Sequence, residues 1–132
     1  MQPNEVDFEV LGFHEFLPVP EEIVAARHFA NETLGAQGVT AEMISAAELV
    51  VDELALNAVQ HAGTFFSVGV ERAGDMVRVS VRDDSNVFPT VREHVALSIK
   101  GRGLSIVAST AEQWGAESLG RGKEMWALLH WS

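Results

Sequence analysis

Glu53, Asn57 and His61 stand four residues apart in Glu53-Leu-Ala-Leu-Asn57-Ala-Val-Gln-His61. In a helix, a spacing of four turns each residue only ~40° from the last, so the three form one polar stripe ~12 Å long. A carboxylate and an amide one turn apart can share a magnesium ion and its waters, because Mg2+ takes few protein oxygens and keeps several waters. A solvated helix face carrying Glu, Asn and His satisfies the same pattern. Asp83 closes Val77-Arg-Val-Ser-Val-Arg-Asp83, a strand pattern with inward positions 77, 79 and 81. A carboxylate in that phase must find donors or stay at a cavity mouth, since burying it unpaired costs several kcal/mol. An adenine amino group is one such donor. The alternative is a strand that has ended, with Asp83-Asp84-Ser85-Asn86 capping a turn.

The third group is Gly101-Arg102-Gly103-Leu104, which precedes an amphipathic segment. Glycines permit close backbone approach, and a helix start offers unpaired N–H groups and partial positive charge to a phosphate. Lys100, Arg102 and Lys123 are the cations best placed to assist. Alone, such a loop is an ordinary turn, and it lacks the Gly-x-x-x-x-Gly-Lys-[Ser/Thr] spacing of a P-loop. A metal ligand, a base-reading carboxylate and a phosphate cradle, in this order within one domain, are the parts of an ATP site.

Other chemistries find no support. The chain has no cysteine, which excludes disulfide scaffolds, thiolate zinc sites and thiol catalysis. His14, His28, His61, His94 and His130 form no pair at zinc-binding helical spacing, and no Gly-x-Ser-x-Gly elbow is present. A net charge of −10 argues against a nucleic-acid partner and requires that any polyphosphate be held through a divalent metal, backbone donors and a few cations. The same charge also serves solubility. No apolar run approaches the ~20 residues of a membrane span, and the first residues lack a signal-peptide pattern. The expected setting is therefore cytoplasmic.

A chain of 132 residues, 47% apolar, suits one domain spanning residues 1–132 around one core. Val6, Phe8 and Val10 alternate with acids and predict a half-buried strand. Pro20 opens a helix running to about Leu34, and Thr40 caps a second, longest helix ending near His61-Ala62-Gly63. Ile44, Ala47, Val51, Leu54, Ala55 and Ala58 form its core stripe. Strands are predicted over 65–72 and 76–83, with a turn at Ala73-Gly74-Asp75. Residues 84–100 read as a long loop, of a kind usually functional or mobile, with room for a helical turn around Val91, Val95 and Ile99, followed by a helix from Arg102 to about Trp114. A final hairpin joins 116–119 to 123–131 through Gly120-Arg121-Gly122, its last strand apolar on both faces and so interior to the sheet. This order predicts an α+β, two-layer sandwich: one mixed, mainly antiparallel sheet with helices on one face.

The ordered set resembles the histidine-kinase-like (GHKL) ATPase superfamily, and within it the small anti-sigma-factor serine-protein kinases. Glu48 through Ala62 resembles that family's N box, Val79-Ser-Val-Arg-Asp83 with Pro89 its G1 region, and Gly101 through Val107 its G2 region. Trp114-Gly115 and Gly122-Lys123-Glu-Met-Trp126 resemble the closing strands, and residues 18–39 the first helix. The resemblance implies a Bergerat-type fold in which Asn57 ligates Mg2+, Asp83 bonds the adenine amino group, and Gly101, Gly103 and the following helix start hold phosphates. It implies Glu53 as the general base for a serine hydroxyl on an antagonist protein, a sigma factor as second partner, and a homodimer. One departure stands out: the family's Asp-x-Gly-x-Gly is here Asp83-Asp-Ser85-Asn-Val87, without either glycine. A partner-binding module with weak or lost nucleotide binding is therefore the alternative. The catalytic domain of a sensor kinase fits less well, because no dimerisation helix with an acceptor histidine fits within the chain.

Overall fold

The computed structural model describes residues 7–85 and 110–130, apart from the side chains of His61 and Ala62. Strand β1 (Glu9–Phe16) leads into helices α1 (Pro20–Gly35) and α2 (Ala41–Asn57), the latter prolonged by a π turn, Ala58–Ala62. Then follow strands β2 (Phe66–Ala73), β3 (Met76–Asp83), β4 (Gln113–Ser118) and β5 (Lys123–His130). Two helices between β1 and β2 return the chain to its starting end, so those strands pair antiparallel. The sheet order is β1-β2-β3-β5-β4, and every pairing is antiparallel. The sheet expected to be mixed has no parallel pair among the described residues. Strand β5 lies between β3 and β4, which explains its apolar content on both faces.

The helices cover one face. Helix α1 contacts β1 and β2, and α2 contacts β3 and β5. Pro20 occupies the start of α1 with Glu21 and Glu22 in its first turn, where acids are favoured by the helix dipole. Thr40 caps α2, its hydroxyl accepting from the Met43 N–H at 3.2 Å. Ala47, Val50, Val51 and Leu54 of α2 pack on Val68, Val70, Val77, Val79, Val81, Met125 and Ala127 of the sheet, all buried. Each such side chain removed from water contributes about 1.5–3 kcal/mol, and this layer is the dominant source of stability.

Two sequence expectations fail, each for a packing reason. The first strand begins later than the alternation at Val6, Phe8 and Val10 suggests, and Val10 is 63% exposed. An irregularity between Val10 and Gly12 shifts the register, so Gly12, His14 and Phe16 pair with the inward-facing Val70, Val68 and Phe66 instead. The helix expected to reach Trp114 has ended by Ala111. The Glu112 N–H donates to the Leu128 carbonyl at 2.8 Å, and Gln113 and Trp114 pair with Leu128 and Ala127, so the β5 ladder captures this segment. Trp114 thereby packs against the core from a strand.

The outer face of the sheet carries a charge cluster. Glu124, 3% exposed, takes Arg78 at 2.6 Å and Arg82 at 2.5 Å, and Arg78 also approaches Glu71 at 3.6 Å. The Arg78 guanidinium lies 5.6 Å from the centre of the Trp126 ring, a cation–π distance. On α2, Asp52 pairs with Arg27 of α1 at 3.3 Å. Burial pushes the Asp52 carboxyl up from its usual value, Arg27 opposes this and Glu48 adds to it. The folded state therefore holds the Asp52 proton more tightly than the unfolded chain, and stability falls as pH rises through that interval. Asp52→Asn should be at least as stable as the parent near pH 7 and lose that advantage below the unfolded carboxyl range. Chemical denaturation across pH 3–7 measures this, and a variant less stable than the parent throughout would contradict it.

Candidate functional site

Strand β3 ends with Asp83 on the helix-facing side, as the phase of Val77, Val79 and Val81 requires. Its ladder neighbours are Phe66 on β2 and Lys123 on β5. Asp83 is 7% exposed and Lys123 2%. The Lys123 ammonium donates to both carboxylate oxygens of Asp83, at 2.9 and 2.8 Å. The Ser85 N–H donates to Oδ1 as well, at 2.8 Å, so the carboxylate also caps the turn leaving the strand. Next to it, the Asp84 N–H donates to the Thr64 hydroxyl at 3.1 Å. Lys123, expected to assist a phosphate, instead spends its charge on Asp83.

This pair depends on the turn before β5. Gly122 has φ +88°, and a Cβ there would run into the backbone carbonyl oxygen of Asp83. Only glycine allows the hairpin to pass that close over the end of β3 in a left-handed conformation. The turn thus delivers Lys123 to the carboxylate with its stem in the core.

Asn57 is the last residue of α2 and is 3% exposed. Its Nδ2 donates to the Met125 sulfur at 3.5 Å. Met125 pairs with Val81, one inward position before Lys123 and Asp83, so the amide lies over the ladder about 7 Å from the acid along the strands. Asn57 Oδ1 is buried and has no hydrogen-bond partner among the described residues. An orphaned amide oxygen suits Mg2+ or one of its waters, so this residue fits the metal-ligand expectation chemically. Among the described residues no group of three or more acidic or histidine side chains is placed to hold a metal by itself.

Glu53 lies one turn before Asn57 on α2 and is partly buried. His61 falls within the π turn that prolongs α2 beyond Asn57. Gly63, at φ +66°, closes that turn, its N–H reaching the Ala58 carbonyl at 3.1 Å. Lys100, Gly101, Arg102, Gly103 and Leu104 lie outside the described residues, as do Val87 and Pro89. The structure therefore brings together the amide and the acid on one face, with Glu53 a turn away. Sequence reasoning missed the Lys123 partner and the Glu124 cluster. A signal for both existed, because Lys123 shares the inward phase of Met125, Ala127 and Leu129, and Glu124 the opposite one.

The chain belongs to the histidine kinase-like ATPase domain family, whose model matches residues 16–127. Its fold is similar to that of the RsbU and RsbW domains of Rv1364c from Mycobacterium tuberculosis, with a TM-score of 0.68 and 17% identity. That match covers 91% of this chain and 32% of the other, so the chain spans about a third of that protein. It is also similar to a chain of the SiaB–SiaC complex from Pseudomonas aeruginosa, with a TM-score of 0.64, 16% identity and 91% of each chain covered. No curated protein sequence matches significantly. No helix among the described residues is long and apolar enough to cross a membrane.

Breaking a buried ion pair by removing one partner costs about 3–5 kcal/mol, while neutralising both partners costs much less. Lys123→Met is therefore expected to destabilise by that amount, and Lys123→Met combined with Asp83→Asn to recover most of it. Urea denaturation of the parent, both single variants and the double variant reads the coupling. Additive losses would contradict the pair.

Proposed function

We propose that this chain is an ATP-dependent serine/threonine-protein kinase of the anti-sigma type, which phosphorylates an antagonist protein and also binds a sigma factor. The observation that carries this reading is the buried Asn57 oxygen, without a hydrogen-bond partner among the described residues, one inward position from Asp83 at the end of the sheet and one turn from Glu53. Asn57 would hold Mg2+, which bridges phosphate oxygens and neutralises their charge. Asp83 would read the adenine amino group, with Phe66 beside it on β2 as an apolar neighbour. Lys100, Gly101, Arg102, Gly103 and Leu104 would hold the phosphates. Glu53 would orient the substrate hydroxyl and accept its proton, which is most of what the protein itself must do in phosphoryl transfer. The family match supports the ATP-binding part of this reading. The structural neighbours include the SiaB–SiaC complex, in which a chain of this fold is found with a protein partner.

A homodimer belongs to the same reading. Strand β1 is a sheet edge, and Val10 and Phe13 on it are 63% and 60% exposed. An open edge with apolar side chains is a surface that a second copy can cover.

A second reading is favoured by one observation. Lys123 already donates to both oxygens of Asp83, which favours a partner-binding module in which nucleotide is weakly held or absent. Transfer of γ-phosphate from radiolabelled ATP to a candidate antagonist separates the two. The kinase reading predicts transfer by the parent chain and a fall of about 100-fold or more for Glu53→Ala, with antagonist binding unchanged. Full-rate transfer by Glu53→Ala would remove Glu53 from the chemistry, and antagonist binding without transfer by the parent would favour the module.

A further inference from the structure

We infer that Lys123 is a built-in competitor for the base-reading acid, and that this single residue sets how well the pocket accepts an adenine nucleotide. The inference rests on the nucleotide-binding reading above and deepens it. An adenine amino group is a neutral donor that must approach the Asp83 carboxylate. That carboxylate already accepts from a lysine ammonium at 2.9 and 2.8 Å and from the Ser85 N–H at 2.8 Å. Both side chains are almost fully withdrawn from water.

Both donors make charge-assisted bonds to a carboxylate, but the ammonium adds the attraction of a full opposite charge, which a neutral amine lacks. Three of the roughly four acceptor sites of the carboxylate are thus taken. The base must crowd onto the last one beside the ammonium or displace it, and displacement leaves a buried ammonium without its partner. Lys123 cannot easily swing away. Its stem belongs to β5 in full ladder register with β3, and Gly122 locks the turn before it against the end of β3. The ammonium is tethered at the acid at a concentration no free ligand matches.

The consequence is specific to the base. Asn57 lies one inward position away and its oxygen is not involved in the pair, so the metal side of the pocket is untouched by Lys123. Removing the ammonium exposes Asp83 to the exocyclic amine, which adenine carries and hypoxanthine lacks.

The test is calorimetric titration of the full chain with Mg-ADP and Mg-IDP, for the parent, Lys123→Ala and Lys123→Gln. Glutamine keeps a donor near Asp83 without the charge, and serves if the alanine variant does not fold. The expected result is an affinity for Mg-ADP at least ten-fold higher in Lys123→Ala than in the parent, with Lys123→Gln between them. Mg-IDP should show little of that gain. Equal Mg-ADP affinity in the parent and the variants would overturn the inference while leaving the nucleotide site in place. An equal gain for Mg-IDP would overturn it too, showing that only space was created. Absence of binding to every folded protein at millimolar Mg-ADP would overturn both the inference and the nucleotide-site reading.

Discussion

The ion pair between Lys123 and Asp83 is the constraint around which the end of this sheet is organised. Two opposite charges are held in the inward phase of adjacent strands, where a lone charge is strongly disfavoured. Their mutual satisfaction explains why β3 can end in an acid that faces the core, and why β5 can begin with a lysine that does. It also explains the hairpin. The chain must bring Lys123 across the end of β3, and a glycine at φ +88° is what lets Gly122 pass over the Asp83 carbonyl. Such a pair adds little net stability compared with a well-packed apolar pair, although removing one partner alone is costly.

The same end of the domain holds Asn57. Helix α2 rests on β3 and β5 and releases Asn57 directly above Met125. The amide commits its nitrogen to a sulfur, and its buried oxygen has no hydrogen-bond partner among the described residues. Immediately after it the helix widens into a π turn, a local irregularity often found at functional sites. At this end of a histidine kinase-like ATPase domain a buried amide thus lies one inward position from an acid that is engaged by a neighbour on the same sheet.

Much of this was legible beforehand. Thr40 announced the cap of α2, the alternation of Val77, Val79 and Val81 gave β3 its bounds and Asp83 its inward phase, and the apolar faces of β5 placed it inside the sheet. Local rules suffice there because periodicity and capping act within a few residues. The errors arose where distant ladders decide. At β1, the irregularity after Val10 inverted the face that simple alternation assigned. At Trp114, an amphipathic pattern lost to pairing with β5. Lys123 was read as a phosphate cation next to Gly122, whereas its spatial neighbour is forty residues away at Asp83. Long-range partners of charged residues are the part that one-dimensional patterns carry least.

The most direct test of the central claim uses the fact that the chain has only two lysines, Lys100 and Lys123. Nitrogen-15 labelling of lysine side chains allows each ammonium to be observed by NMR through the exchange of its protons with water. The account predicts one slowly exchanging ammonium signal near neutral pH, assigned to Lys123, that is lost in Asp83→Asn. Fast exchange at both lysines, or a protected signal indifferent to that substitution, would show that the ammonium and the acid are not paired in solution.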